Sequence, residues 1–194
     1  MDLDDVREKL KRKKQILFSR DSACLRPLRF LIAEQKHRTL VVWALACARA
    51  PLEELKARYP QEERPERAVR LCGQWAMGQL KMPVAKRALL EVHAMAKELS
   101  DPVQIALCHA VGQACAAVHV ETHAIGLALY ELTAIVRRWG IDDCQAALEA
   151  KIADYISCLL DCAAKIDAEP REWADFLRKD APNKEKLLLD KRRR

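Results

Sequence analysis

Apolar residues recur at three- and four-residue spacing along most of the chain, and the runs are broken by prolines and the few glycines. That periodicity is helical. It predicts a charged first helix over residues 2–17, a second over about 22–35, and a third from His37. The third carries Leu40, Val41, Trp43, Ala44 and Cys47 before it meets Pro51. Proline has no amide proton and clashes with the preceding turn, so Pro51 should kink or restart the helix on its way to Tyr59-Pro60. Pro65 opens the next helix in its first turn, where the missing N–H costs nothing. That helix turns Val69, Cys72, Trp75 and Ala76 inward and stops near Gly78. Another begins at Met82-Pro83 and puts Ala85, Ala88, Leu89, Val92, Ala96 and Leu99 on one stripe.

Asp101-Pro102-Val103-Gln104 is the strongest local signal. It combines an N-cap acid, proline at the first helical position, and a glutamine placed to reach back to the cap. From Val103 to Tyr130 the only formal charge is Glu121, so this segment must be covered on nearly all sides. A helix running without interruption from 102 to 139 would be longer than about 50 Å. A break near Val120-Glu121-Thr122 is expected instead. Gly140 ends the helix carrying Trp139, and Asp142 with Gln145 starts a long one bearing Cys144, Leu148, Ile152, Tyr155, Ile156, Leu159 and Ala163. A short helix at about 171–179, with Trp173, Phe176 and Leu177, should pack back as a lid. Residues after Pro182 trail off.

Composition agrees with this pattern. Of 194 residues only five are Gly, four Ser and three Thr, and no segment alternates as a strand would. The fold class is all-α: a single-domain multi-helix bundle in which helix pairs could stack as α-hairpins. Its organisation is a charged N-terminal helix (1–20), a helical body (21–180) and a basic tail (181–194). The net charge of +6 is unevenly spread: +3 on residues 1–20, +4 on 181–194, and −1 on the body. Lys11, Arg12, Lys13 and Lys14 at one end, with Lys191, Arg192, Arg193 and Arg194 at the other, form two basic clusters. They define one functional alternative, a helical nucleic-acid-binding protein. Solvated, frayed ends are the structural alternative.

Eight cysteines and no CxxC pair, behind an opening without an apolar signal segment, suggest free thiols in a reducing cytoplasm. Cys158 and Cys162 share a helix face. No run is apolar enough to span a bilayer. Phosphate loops, nucleophile elbows and carboxylate pairs are all missing, so no enzyme mechanism is indicated and no cofactor is called for. The chemistry that remains sits in five histidines. His119 and His123 stand four apart, with Glu121 between them in a place where the His-Glu-x-x-His zinc pattern has none. His93, His119 and His123, with His37, Trp43 and Glu91 or Glu121, could converge on a ligand or metal pocket. Alternatively they are hydrogen-bonded core histidines, and Trp43 and Trp75 are core anchors.

The order His37-Arg38-x-Leu40-x-x-Trp43-Ala44-x-x-Cys47-Ala48, Tyr59-Pro60, Arg64-Pro65-x-x-Ala68, Trp75-x-x-Gly78, Ala85-Lys86-x-Ala88 and His93-Ala94-x-Ala96 continues to Gly112-Gln113-Ala114-x-Ala116-x-x-His119-Val120-x-x-His123-Ala124-x-Gly126-x-x-x-Tyr130. Over roughly residues 28–135 it resembles the putative immunity protein family of bacterial polymorphic toxin systems, the group similar to the fifth immunity class. The resemblance implies an all-α protein of the bacterial cytoplasm that binds and neutralises a cognate toxin. The loops near 59–65 and 78–83 and the adjoining helix faces would meet that partner. One position departs from the pattern: Ala46 stands where the family carries an acid. Inhibitors of nucleases are expected to be acidic, so a near-neutral body points to a toxin with an acidic or neutral face.

Overall fold

The structure, a computed structural model, describes residues 1–168 and 172–179. Of these, 73% are helical and none forms a strand. The basic tail with Lys191, Arg192, Arg193 and Arg194 lies outside the described residues.

Helix α1 (Asp4–Lys11) ends six residues before the expected position. The cause is Lys13, whose φ of +53° places it in the left-handed region. Its N–H donates to the Leu10 carbonyl at 3.0 Å, and the Lys14 N–H donates to the Lys9 carbonyl at 3.0 Å. This paired closure usually recruits glycine, so nothing in the sequence announces it. The chain then leaves the helix and buries Leu17 and Phe18, the Leu17 N–H donating to Thr133 Oγ1 at 3.1 Å. A 3-10 turn (Ala23–Leu25) leads into α2 (Arg26–Ala33). Pro51 acts as expected: α3 (His37–Cys47) stops and α4 (Arg49–Arg58) starts again with the proline in its first turn.

Helices α5 (Arg64–Ala76), α6 (Met82–Glu98) and α7 (Pro102–Ala116) follow, with short connections that make each the neighbour of the next. Asp101 caps α7, its carboxylate accepting the Val103 N–H at 2.8 Å. Such a cap stabilises a helix by about 1 kcal/mol. Gln104 does not complete the reciprocal bond; its Nε2 donates to Glu54 of α4 at 2.9 Å. The expected break becomes a 3-10 turn (Glu121–His123) ahead of α8 (Ala124–Trp139). Gly140, at φ +81°, ends α8. Helix α9 (Gln145–Lys165) starts beyond Asp142, which is engaged by Arg7 at 2.7 Å. The short α10 (Asp175–Arg178) packs back through an Ala174 N–H to Ala76 carbonyl bond of 2.8 Å.

α7 and α8 run through the centre. Ten of the fifteen residues of α7 and eleven of the sixteen of α8 are buried, as their lack of charge predicts. On one flank lie α2, α3, α9 and the N-terminal segment, packed around Trp43, Leu127, Leu132, Leu148 and Tyr155. On the other lie α5 and α6, packed around Cys72, Val92, Val111 and Cys115. No described helix is long and apolar enough to cross a membrane.

Candidate functional site

The second flank does not close completely. Between α5, α6 and α7 a cavity of about 210 Å³ opens to the surface. Its polar lining is His93, His119, His123, Gln113 and Lys86; its apolar lining includes Trp75, Met82, Ala85, Leu89 and Leu90. Helix α6 supplies its side of the cavity from positions 82, 85, 86, 89, 90 and 93, which fall on one face at three- and four-residue spacing.

Two glycines reserve the space that the polar side chains occupy. A Cβ on Gly112 would lie 2.5 Å from Cε1 of His93, and a Cβ on Gly126 would lie 2.4 Å from Oε1 of Gln113. With those hydrogens in place of side chains, His93 lies across α7. Its Nδ1 comes 3.1 Å from Nδ1 of His109, so one ring donates and the other accepts. Burial lowers the pKa of both rings, and for His93 the neighbouring His109, His123 and Lys97 lower it further. His109 is stacked in turn at 4.9 Å from the Tyr130 ring. Gln113 holds His123, whose Nδ1 is 2.8 Å from Oε1. That contact makes Nδ1 the protonated nitrogen. His119 is exposed at the mouth, its ring 5.9 Å from Trp75, and Trp75 also meets Phe176 at 5.2 Å.

The remaining candidates lie elsewhere. The 3-10 turn directs Glu121 away from the cavity, toward His37 at the start of α3. His37 Nε2 donates to the Ala117 carbonyl at 2.7 Å, and its Nδ1 lies 3.6 Å from the buried Glu121 carboxylate. Trp43 is not a pocket residue. It is fully buried, its indole N–H donating to the Tyr155 carbonyl at 3.0 Å, and the Tyr155 ring packs edge-on at 5.9 Å. Glu91 is bonded to Arg67. Ala46 is exposed and does not line the cavity. Among the described residues, no group of three or more His, Cys, Asp or Glu side chains could hold a metal ion. The break at 121–123 is the reason the i, i+4 pair does not form a ligand face on one helix.

All eight cysteines are free. Cys72 and Cys115 back the cavity, and their mutual hydrogen bond together with burial raises the Cys115 pKa well above the ordinary thiol range. Neither is placed as an activated nucleophile. Cys158 and Cys162 do share a face, beside Cys47, on a separate cavity of about 350 Å³. Burial pushes the Cys162 thiol up to about 12.

Of the basic candidates, Lys11, Arg12, Lys13 and Lys14 are all exposed. Arg12 pairs with Glu8 at 3.5 Å, and the Lys14 carbonyl accepts from Arg137 at 3.0 Å. The sequence counts His109 among its five histidines but does not place it with the cluster, and it favours Trp75 as a core anchor over a ligand-stacking platform. A signal for the first was present: His93 and His109 stand eight residues on either side of Asp101, so two helices folding back at that point bring them level.

Comparison with curated proteins and with solved structures finds no match. A family model does match, over residues 31–158, which span α3 to α8, most of α9 and every histidine described above. Its description is "Imm-5 like putative immunity protein", and the chain belongs to that family.

Proposed function

We propose that this protein binds and neutralises a cognate bacterial toxin, using the surface around the mouth of the histidine cavity. Family membership carries the reading and points to a binding role rather than a catalytic one. The surface supports it. Leu90 is 54% exposed, Phe176 39% and Met82 38%, and all three surround Trp75 and His119. Apolar side chains around an aromatic that is almost fully buried are the composition of an interaction hot spot. The loop at 78–81 runs into the same face, since α6 begins at Met82. Lys86 adds positive charge there, which suits an acidic or neutral toxin face better than the basic one of a nuclease.

Co-expression with the toxin-like gene of its own neighbourhood tests the reading. The protein should restore growth and co-purify with the toxin, and Leu90→Asp should abolish both while leaving the melting temperature within a degree or so. A surface substitution at such a site changes stability by no more than about 0.5 kcal/mol. Unrelieved toxicity without a complex would overturn the reading.

A further inference from the structure

The cavity has a chemical polarity of its own. Its inner walls are Ala85 and Cys115, both fully buried, with Ala116 nearly so. Its mouth carries the exposed Lys86 and His119. No Asp or Glu lines it, and Lys86 makes no ion pair among the described residues. The permanent charge that bears on His93 is another cation, Lys97. A lining with cationic and imidazole groups, and without carboxylates, selects a negatively charged occupant. The apolar interior and the Trp75 ring select a flat apolar body. At about 210 Å³ the space is smaller than the roughly 300–1,000 Å³ of sites for drug-sized ligands, which limits that body to a single ring.

We infer that this cavity is a binding site for a small monocyclic aromatic carboxylate, ring inward and carboxylate at the mouth. The ring lies between Trp75, Leu89 and Ala116. The carboxylate meets the Lys86 ammonium and the His119 imidazole, whose ring nitrogens have no hydrogen bond among the described residues. The glycines at 112 and 126 are part of the site, because they let His93 and Gln113 line it without filling it.

Benzoate is the test ligand, titrated against the full-length protein while the His119 and His93 ring protons and the Met82 methyl are followed by NMR. Saturable shifts at these three residues are expected, with a Kd of about 1 mM or below. Benzamide, the uncharged analogue, should bind about tenfold more weakly. Lys86→Ala should weaken benzoate about two- to fivefold, the reach of one exposed ion pair. Ala116→Leu should fill the cavity and abolish binding. Lys86 is on the surface, so its variant remains informative if the larger side chain at position 116 impairs folding. Absence of saturation, equal affinity for benzoate and benzamide, or shifts confined to the Cys158 cavity would each overturn the inference. None of these readouts depends on a toxin, so the result stands apart from the neutralisation assay.

Discussion

The two flanks of the α7–α8 pair both bury polar side chains, and they treat them differently. On the α9 side the network closes on itself. Glu131, 6% exposed, accepts the Tyr155 hydroxyl at 2.6 Å and meets Lys151 at 2.5 Å, while Trp43 donates to the Tyr155 carbonyl. Desolvation raises the Glu131 pKa and Lys151 opposes the rise. Each group of this network has its partner inside the protein, and none of its members lines the cavity beside Cys158. On the α6 side the histidines engage one another and Gln113, and they border open space. A satisfied buried network specifies a fold. Polar groups converging on a cavity are equipped to meet something from outside. The first flank fits a structural role, and the second fits the recognition role proposed above.

The largest effect should come from the closed flank. Trp43→Ala removes the biggest fully buried side chain together with its hydrogen bond, and leaves a void beside Tyr155. The expected loss is about 3–5 kcal/mol in urea unfolding. A loss below about 1 kcal/mol would mean that this flank is not the packed one.

Gly112→Ala examines the other flank. Alanine is favoured over glycine in a helix by up to about 1 kcal/mol. Here its Cβ would strike the His93 ring, and overpacking costs about 1–3 kcal/mol. Net destabilisation is expected in the wild-type background. In a His93→Ala background the clash is gone, so the same change should stabilise. That reversal of sign in a double-mutant cycle would establish that His93 and Gly112 share one space. Simple additivity would place the ring elsewhere.

How much of this could be read from the chain follows from which forces are local. The Asp101-Pro102 cap, the restart at Pro51 and the stop at Gly140 act within a few residues, and all three appear where the sequence puts them. The near-continuous burial of α7 and α8 follows from their missing charges. The site was legible only in part. The sequence marked His93, His119 and His123, and all three line one cavity. It grouped His37, Trp43 and Glu121 with them; Glu121 faces elsewhere because the turn at 121–123 rotates it off the cavity, and His37 and Trp43 stand on α3, which contributes no residue to the lining. Helical periodicity carries the direction of a side chain along an unbroken helix and loses it across a 3-10 turn. The contribution of Phe176, 101 positions beyond Trp75, depends on tertiary contact alone.

The α6 flank should also lose stability on the acid side, through its half-buried imidazoles. Burial, then His109, His123 and Lys97, hold the His93 pKa below its ordinary 6.5. The unfolded chain therefore takes up its proton at a higher pH than the folded one. The His93 contribution is complete above the unfolded value and is lost as pH falls through 6.5 toward the lower folded value. His109 acts with the same sign. Replacing His93 by Gln should make the decline in stability between about pH 7 and pH 5 shallower. An unchanged slope would show that the ring is as well solvated folded as unfolded.

The smallest expected effect is at the far end of the closed flank, and it has the opposite sign. Lys13 holds a left-handed conformation that costs an L-residue roughly 1–2 kcal/mol and costs glycine almost nothing. Glycine also loses more freedom on folding, by about 0.5–1 kcal/mol. The difference leaves Lys13→Gly stabilising by up to about 1 kcal/mol, in a segment where most substitutions would do nothing. The gain depends on the paired bonds from the Lys13 and Lys14 amides that end α1 and aim Leu17 and Phe18 into the core. The same variant removes one charge from the Lys11, Arg12, Lys13 and Lys14 cluster. Measured beside oligonucleotide binding at about 50 and 200 mM salt, it therefore separates two roles for this stretch. If the cluster contacts phosphates, the loss of one charge lowers affinity and flattens the salt dependence by about one unit of slope. If its role is to turn the chain, stability rises and the salt dependence does not change. A fall in stability would mean that the left-handed turn at Lys13 is not formed in solution.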